Sequence, residues 1–219
     1  MAVIIQDCRE GSAQLESVSV ACMLNSIGGL HVGFLYQRED SSRWLSHLAW
    51  ELVFRNEPAG EQFMCWVNVR ISRPNLEILA AVLEEMKSNR DVNYDVRYHG
   101  ENSYFDQVTW AYIKQEPGLT CATFIMALLR SLHLELFNVS VWPGRLEDKP
   151  VLDALISQLE KCGVEPARIL AMRSNHQNIR FRPEEVCGAV GEASWPVPFT
   201  SAQLLGGEVR DHVWGSPST

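Results

Sequence analysis

Three side chains with the chemistry for nucleophilic attack are spaced widely along this chain: Cys121 at the start of an apolar run, and His31 and His47 upstream on a predicted hairpin. A thiol is a poor nucleophile at neutral pH until its proton leaves. Helix N-termini favour the thiolate, because their unpaired N–H groups carry partial positive charge. A neighbouring imidazole acts more strongly, by taking the proton. The segment from Gln115 to Phe124, QEPGLTCATF, supplies the helix start, and the histidines supply the imidazole.

Such a thiol needs three kinds of help. A base must accept its proton, and a further polar group must hold that base in the right tautomer. Donors must then stabilise the oxyanion formed when the thiolate attacks a carbonyl. His31 is the candidate base and His47 the candidate orienting group, with Glu51 and Asn68 as alternatives for that second role. Gln115, six residues before Cys121, is a candidate oxyanion donor through its amide, beside the Cys121 backbone N–H.

The elements that must position these groups follow from pattern. Residues 30–36 and 43–50 are rich in strand formers and flank a short polar loop, which predicts a β-hairpin. A loop centred near residue 39 or 40 sets His31 almost opposite residue 47 or 48. Residues nearly opposite on facing strands share a face about 5 Å apart at Cβ, and a one-residue slip would turn His47 away. Residues 18–24 and 63–69 read as further strands. Helical spacing predicts helices over 73–87, from 120 through 129 with Thr120 as N-cap, and over 148–163. Short helices are expected near 166–173 and after Arg182. Residues 89–106 form a long polar loop of the kind that often carries function, and 108–113 read as a short strand. Residues 192–219, rich in Pro, Gly and Ser, read as loop with a frayed tail.

Composition bounds the function. The chain has 219 residues, 46% apolar and 21% charged, with a formal net charge of −8. A chain this acidic, without clustered Lys and Arg, argues against nucleic-acid binding and against docking on anionic membranes. No apolar run approaches the roughly 18 residues of a transmembrane helix, so stable membrane insertion is not expected. The N-terminus lacks the basic and apolar regions of a signal peptide. The expected place of synthesis is the cytoplasm, with export by a dedicated machine left open. The six cysteines show no CxxC pair, which fits neither a zinc site nor a compact disulfide framework. Cys8 and Cys22 are rival nucleophiles, but neither opens a helix.

The order and spacing of these motifs carry a family resemblance. A glutamine six residues before a cysteine that opens a helix, with Phe124 three residues after it, resembles the nucleophile segment of papain-like cysteine peptidases. His31-Val32-Gly33 on a strand, a second histidine on the next strand, and a cysteine 90 residues after His31 resemble the circularly permuted NlpC/P60 group, which includes the lecithin:retinol acyltransferase-like proteins. The likeness spans residues 18–135. It differs at the cysteine, where Thr120-Cys121-Ala122-Thr123-Phe124 matches neither the N-C-E-H-F nor the D-C-S-x-F pattern, so the substrate is not assigned.

The resemblance implies an α+β, papain-like fold in permuted order, with a small antiparallel sheet packed against the helix of the nucleophile. It implies a catalytic domain over 1–164 and a C-terminal extension over 165–219. The expected activity is thiol-dependent hydrolysis of an amide, peptide or isopeptide bond through Cys121, His31 and His47, by way of an acyl-enzyme thioester. Acyl transfer or lipid deacylation through the same thioester is the alternative, and an inactive papain-like binding module is the other. Expected substrates are a peptide, a peptidoglycan stem peptide or an acyl compound, with a cognate inhibitor protein if the chain is exported. This chemistry calls for no metal or organic cofactor.

Overall fold

Alternating and β-branched apolar residues in the first third of the chain build one antiparallel sheet. In the computed structural model, residues 3–7, 15, 17–25, 28–60, 64–86, 91–100, 104–113, 117–175 and 177–215 are described. The strands are β1 (Ile5–Asp7), β2 (Val18–Leu24), β3 (Leu30–Gln37), β4 (Arg43–Trp50), β5 (Val53–Pro58) and β6 (Met64–Asn68). They lie in the order β1-β6-β2-β3-β4-β5, every neighbouring pair antiparallel. Among the described residues, six α-helices follow: α1 (Arg73–Glu85), α2 (Cys121–Ser131), α3 (Lys149–Lys161), α4 (Pro166–Asn175), α5 (Pro183–Ala189) and α6 (Phe199–Trp214). The architecture is α+β.

One face of the sheet carries most of the core. Val18, Val20 and Cys22 of β2 and Val32, Phe34 and Tyr36 of β3 pack with the buried residues of α1, α2 and α5. Phe124 of α2 sits against both Phe34 and Phe54, with ring centroids 6.1 and 5.4 Å apart. Such edge and tilted aromatic pairs add about 0.5–1.5 kcal/mol each beyond their buried area, which fixes α2 over β3, β4 and β5. The opposite face buries a smaller cluster of Ala21, Met23, Leu35, Leu45 and Trp66.

Two expected elements change. The region from 192 to 219 is not mainly loop: α6 fills 199–214. The core also runs across residue 164. Val186 and Cys187 of α5 and Val209 of α6 are buried with the β2 and β3 side chains, and α5 packs on β2, β3 and α2. Residues 108–113 form a turn instead of a strand, closed by an isolated pairing of Phe105 with Tyr112. Asp106 drives this turn by accepting from the N–H groups of Val108 and Thr109, a local competition that polar side chains commonly win over a ladder. Among the described residues, no helix is long and apolar enough to cross a membrane.

Candidate active site

Cys121 is the first residue of α2 because Thr120 caps the helix there. The Thr123 N–H donates to the Thr120 hydroxyl at 3.1 Å, and the Thr120 N–H donates to the Thr123 hydroxyl at 2.7 Å. The first intrahelical bond runs from the Phe124 N–H to the Thr120 carbonyl. That leaves the Cys121 and Ala122 N–H groups at the helix end without intrahelical partners. They stabilise negative charge on the thiol and on any oxygen held beside it.

The histidines come from the hairpin. Its register pairs Gln37 with Arg43 and Phe34 with Ser46. Continued by one residue, it sets His47 opposite Gly33, not opposite His31. The shift from the expected pairing is by whole two-residue steps, so both histidines keep one face. Gly33 is what permits it. A Cβ there would lie 2.7 Å from the His47 Cβ and 3.0 Å from the Ser46 carbonyl oxygen. The bare backbone lets His47 lean across it, and His31 Nε2 stands 2.7 Å from His47 Nδ1, in a buried pair.

Alternation puts His31 on the sheet face of Leu35, whereas α2 packs on the face of Val32 and Phe34. His31 lies beyond the Phe34–Ser46 pair where the β3–β4 ladder stops, while still paired with Met23 of β2. The Cys121 thiol takes a hydrogen bond from the Val32 backbone and interacts with the His31 ring.

Proton positions follow from the far end of the chain of bonds. Nε2 of His47 lies 3.2 Å from the Glu57 carboxylate. A carboxylate only accepts, so His47 Nε2 carries the proton and, in the neutral ring, Nδ1 is the acceptor. His31 Nε2–H therefore donates to His47, and the lone pair of His31 falls on Nδ1, the nitrogen left for the thiol. Glu57 sits on the edge strand β5 and was not among the expected orienting groups. Of those alternatives, Glu51 is held by Arg168 at 2.7 Å and by the Tyr94 N–H at 2.6 Å. Asn68 accepts from the Ser19 hydroxyl at 2.5 Å.

The electrostatics separate the roles. Burial opposes the Cys121 thiolate, but the charge and hydrogen bond of His31, the Val32 backbone and the charge of Arg180 outweigh it and hold the thiol below its ordinary value. Burial likewise opposes the His31 imidazolium, and the Cys121 thiolate reverses that, lifting His31 above its ordinary value. His47 is held down to about 4, by burial first and the His31 charge second, against the pull of Glu57. It stays neutral while its neighbour carries charge. The rival Cys22 is pushed well up by its hydrogen bond with Cys187 and by burial, which leaves it a protonated thiol.

Two residues coupled to the thiol by charge were not singled out as site residues. Tyr94, from the long polar loop, pairs with Leu119 in an isolated parallel bridge, two residues before Cys121. Its ring packs on Trp50 at 4.7 Å. Burial and the Cys121 charge raise its hydroxyl pKa, so it remains protonated. Arg180 lies in the segment between α4 and α5. The only signal for Tyr94 was the length and polarity of its loop, and for Arg180 there was none. Gln115, the expected oxyanion donor, and Cys8 lie outside the described residues.

Comparison with family models, with curated protein sequences and with solved structures finds no match to this chain.

Proposed function

We propose that the protein is a thiol-dependent hydrolase of an amide, peptide or isopeptide bond, with a papain-like site in the permuted NlpC/P60 order. The observation that carries this reading is the relay from Cys121 through His31 to His47, with the two imidazoles 2.7 Å apart and the thiol held low by His31. A thiol set merely for packing has no need of a paired imidazole or of an unpaired helix end.

In the proposed cycle, His31 Nδ1 takes the thiol proton, and the thiolate adds to the carbonyl carbon. The oxyanion is met by the Cys121 N–H and the Tyr94 hydroxyl. The His31 proton passes to the leaving amine as the C–N bond breaks, leaving a thioester on Cys121. Water then adds, its proton taken by His31, and the carboxylate product leaves with the thiol restored. His47 keeps the His31 ring in place throughout and does not itself ionise.

The experiment is intact-mass analysis during turnover of a panel of peptidyl aminocoumarin amides. A transient acyl adduct on Cys121, lost to water and absent from Cys121→Ala, is the expected result. An adduct that passes to added amines or alcohols in preference to water would move the assignment to acyl transfer. No adduct with any acyl donor, amide or ester, would leave the domain a binding module.

A further inference from the structure

The turn after β4 is clamped to the segment that leads into α2. Trp50 pairs with Val53, so Glu51 and Leu52 make the turn. Leu52 holds φ at 53°, a left-handed conformation that persists in a non-glycine residue only where the surroundings enforce it. The Leu52 N–H donates to the Val92 carbonyl at 3.1 Å, and the Glu51 carboxylate accepts from the Tyr94 N–H at 2.6 Å. Arg168 of α4 closes the clamp. Its Nη1 and Nη2 lie 2.7 and 3.3 Å from the two Glu51 oxygens, and Nη2 also donates to the Tyr94 carbonyl at 3.0 Å. The N–H and the carbonyl of Tyr94 are thus both held by one bidentate ion pair, a geometry that fixes direction as well as distance.

Tyr94 in turn holds the approach to the thiol. The Leu119 N–H donates to the Asn93 carbonyl at 2.8 Å, and the Asp95 N–H donates to the Leu119 carbonyl at 3.3 Å. A Cβ at Gly118 would lie 2.3 Å from the Asn93 carbonyl oxygen, so the two backbones touch there. Thr120 then caps α2, and Cys121 follows. At the other end of the clamp, β4 carries His47 four residues before Glu51. One line of contacts therefore joins the strand of the orienting histidine to the segment of the thiol.

We propose that Arg168 is a positioning residue, whose fork on Glu51 and Tyr94 fixes the segment from Leu119 to Cys121 against the β3–β4 hairpin and so sets the thiol within reach of His31. This rests on the assignment of Cys121 as nucleophile. Arg168 acts through Glu51 and Tyr94, not on the thiol itself. A shift of about 1 Å made far from the reacting atoms can cost about a hundredfold in rate, so a loosened clamp is felt at the thiolate–imidazole pair.

The test is the rate of Cys121 alkylation by iodoacetamide against pH, followed by mass spectrometry on the full chain, in wild type, Arg168→Gln and Arg168→Lys. Lysine keeps the charge but lacks the planar fork. We expect both variants to slow modification about tenfold at about pH 6, where the thiolate depends on His31, and to leave the rate at about pH 9.5 unchanged, where an ordinary thiol is already ionised. A wild-type profile in Arg168→Gln overturns the inference and makes the fork a brace of the fold alone. A profile lost in Arg168→Gln but kept in Arg168→Lys also overturns it, because the charge and not the fork is then what the thiol feels. Slow modification of Cys121 at about pH 6 in the wild type overturns the nucleophile assignment, and the inference with it. Circular dichroism and continued protection of the buried Cys22 and Cys187 establish that the fold is kept, and Arg168→Lys alone decides the matter if Arg168→Gln does not fold.

Discussion

His31 and His47 are joined nitrogen to nitrogen at 2.7 Å across the end of the β3–β4 hairpin, and the join exists because Gly33 has no side chain. The nearest atoms to a Cβ at Gly33 are the His47 Cβ, the Ser46 carbonyl oxygen and Leu45 Cδ1. None of the first two is the far end of a flexible side chain. Gly33→Ala must therefore displace β4 or turn His47 away. Overpacking of this kind costs about 1–3 kcal/mol. The expected outcome is a loss of stability in that range in urea melts, together with slower alkylation of Cys121 in protein that is still folded.

Glu57 and His47 are predicted to differ sharply in importance. The Glu57 side chain is 45% exposed, so its hydrogen bond to the neutral His47 ring is worth about 1 kcal/mol, and Glu57→Gln should slow turnover by no more than about fivefold. His47→Ala removes the buried partner of His31 Nε2 and leaves that N–H unsatisfied, which costs about 1–3 kcal/mol and frees the ring to rotate. Its effect on turnover should be at least about tenfold and should exceed that of Glu57→Gln. Steady-state kinetics of the two variants, side by side, checks the ranking.

The sequence made the hairpin, the capped α2 helix and the Cys121–His31–His47 set legible, because each rests on local pattern: alternation, a Thr cap, an apolar run. What it hid is tertiary. β5 has a polar half, Arg55-Asn56-Glu57, and lies at the sheet edge where one side meets solvent, so no alternation announced it and Glu57 went unseen. α6 was hidden by its glycines. Gly206 is there for close packing, since a Cβ would lie 2.9 Å from Glu185 Cγ and 3.0 Å from the Glu185 backbone nitrogen. Such a glycine reads as a helix breaker until α5 is seen beside it. Arg180, whose charge acts on the thiol, is held by an ion pair with Asp148 and by Arg145 donating to its carbonyl, partners more than thirty positions away that no window of sequence contains.

The histidine pair also predicts how stability depends on pH. His47 titrates near 6.5 when unfolded and at about 4 when folded. Between those values the unfolded chain binds the extra proton, so stability falls as pH drops through that window. His31 acts in the opposite sense. Its raised pKa contributes stability that is complete below its ordinary value and is lost as pH rises through the folded one. The other charged groups acting on His47 are Glu57 and Arg55. Thermal melts of His47→Gln should show a smaller loss between about pH 6.5 and about pH 4 than the wild type, by removal of this one titration.

A turnover profile should follow the same two groups. Cys121, held low, must be deprotonated, and His31, held high, must keep its proton to pass it to the leaving group. The expected profile is a bell, rising through the thiol and falling through the imidazole. Cys121→Ser should lose activity across the whole profile.

The most direct measurement is the rate of iodoacetamide alkylation at each cysteine against pH, by mass spectrometry, in wild type and His31→Ala. The account predicts that Cys121, though buried, reacts fast below about pH 7, where an unperturbed thiol is mostly protonated, and that His31→Ala abolishes this. Cys121 reacting no faster than the exposed Cys162, or a rate untouched by loss of His31, would contradict the thiolate–imidazole pair on which the whole account stands.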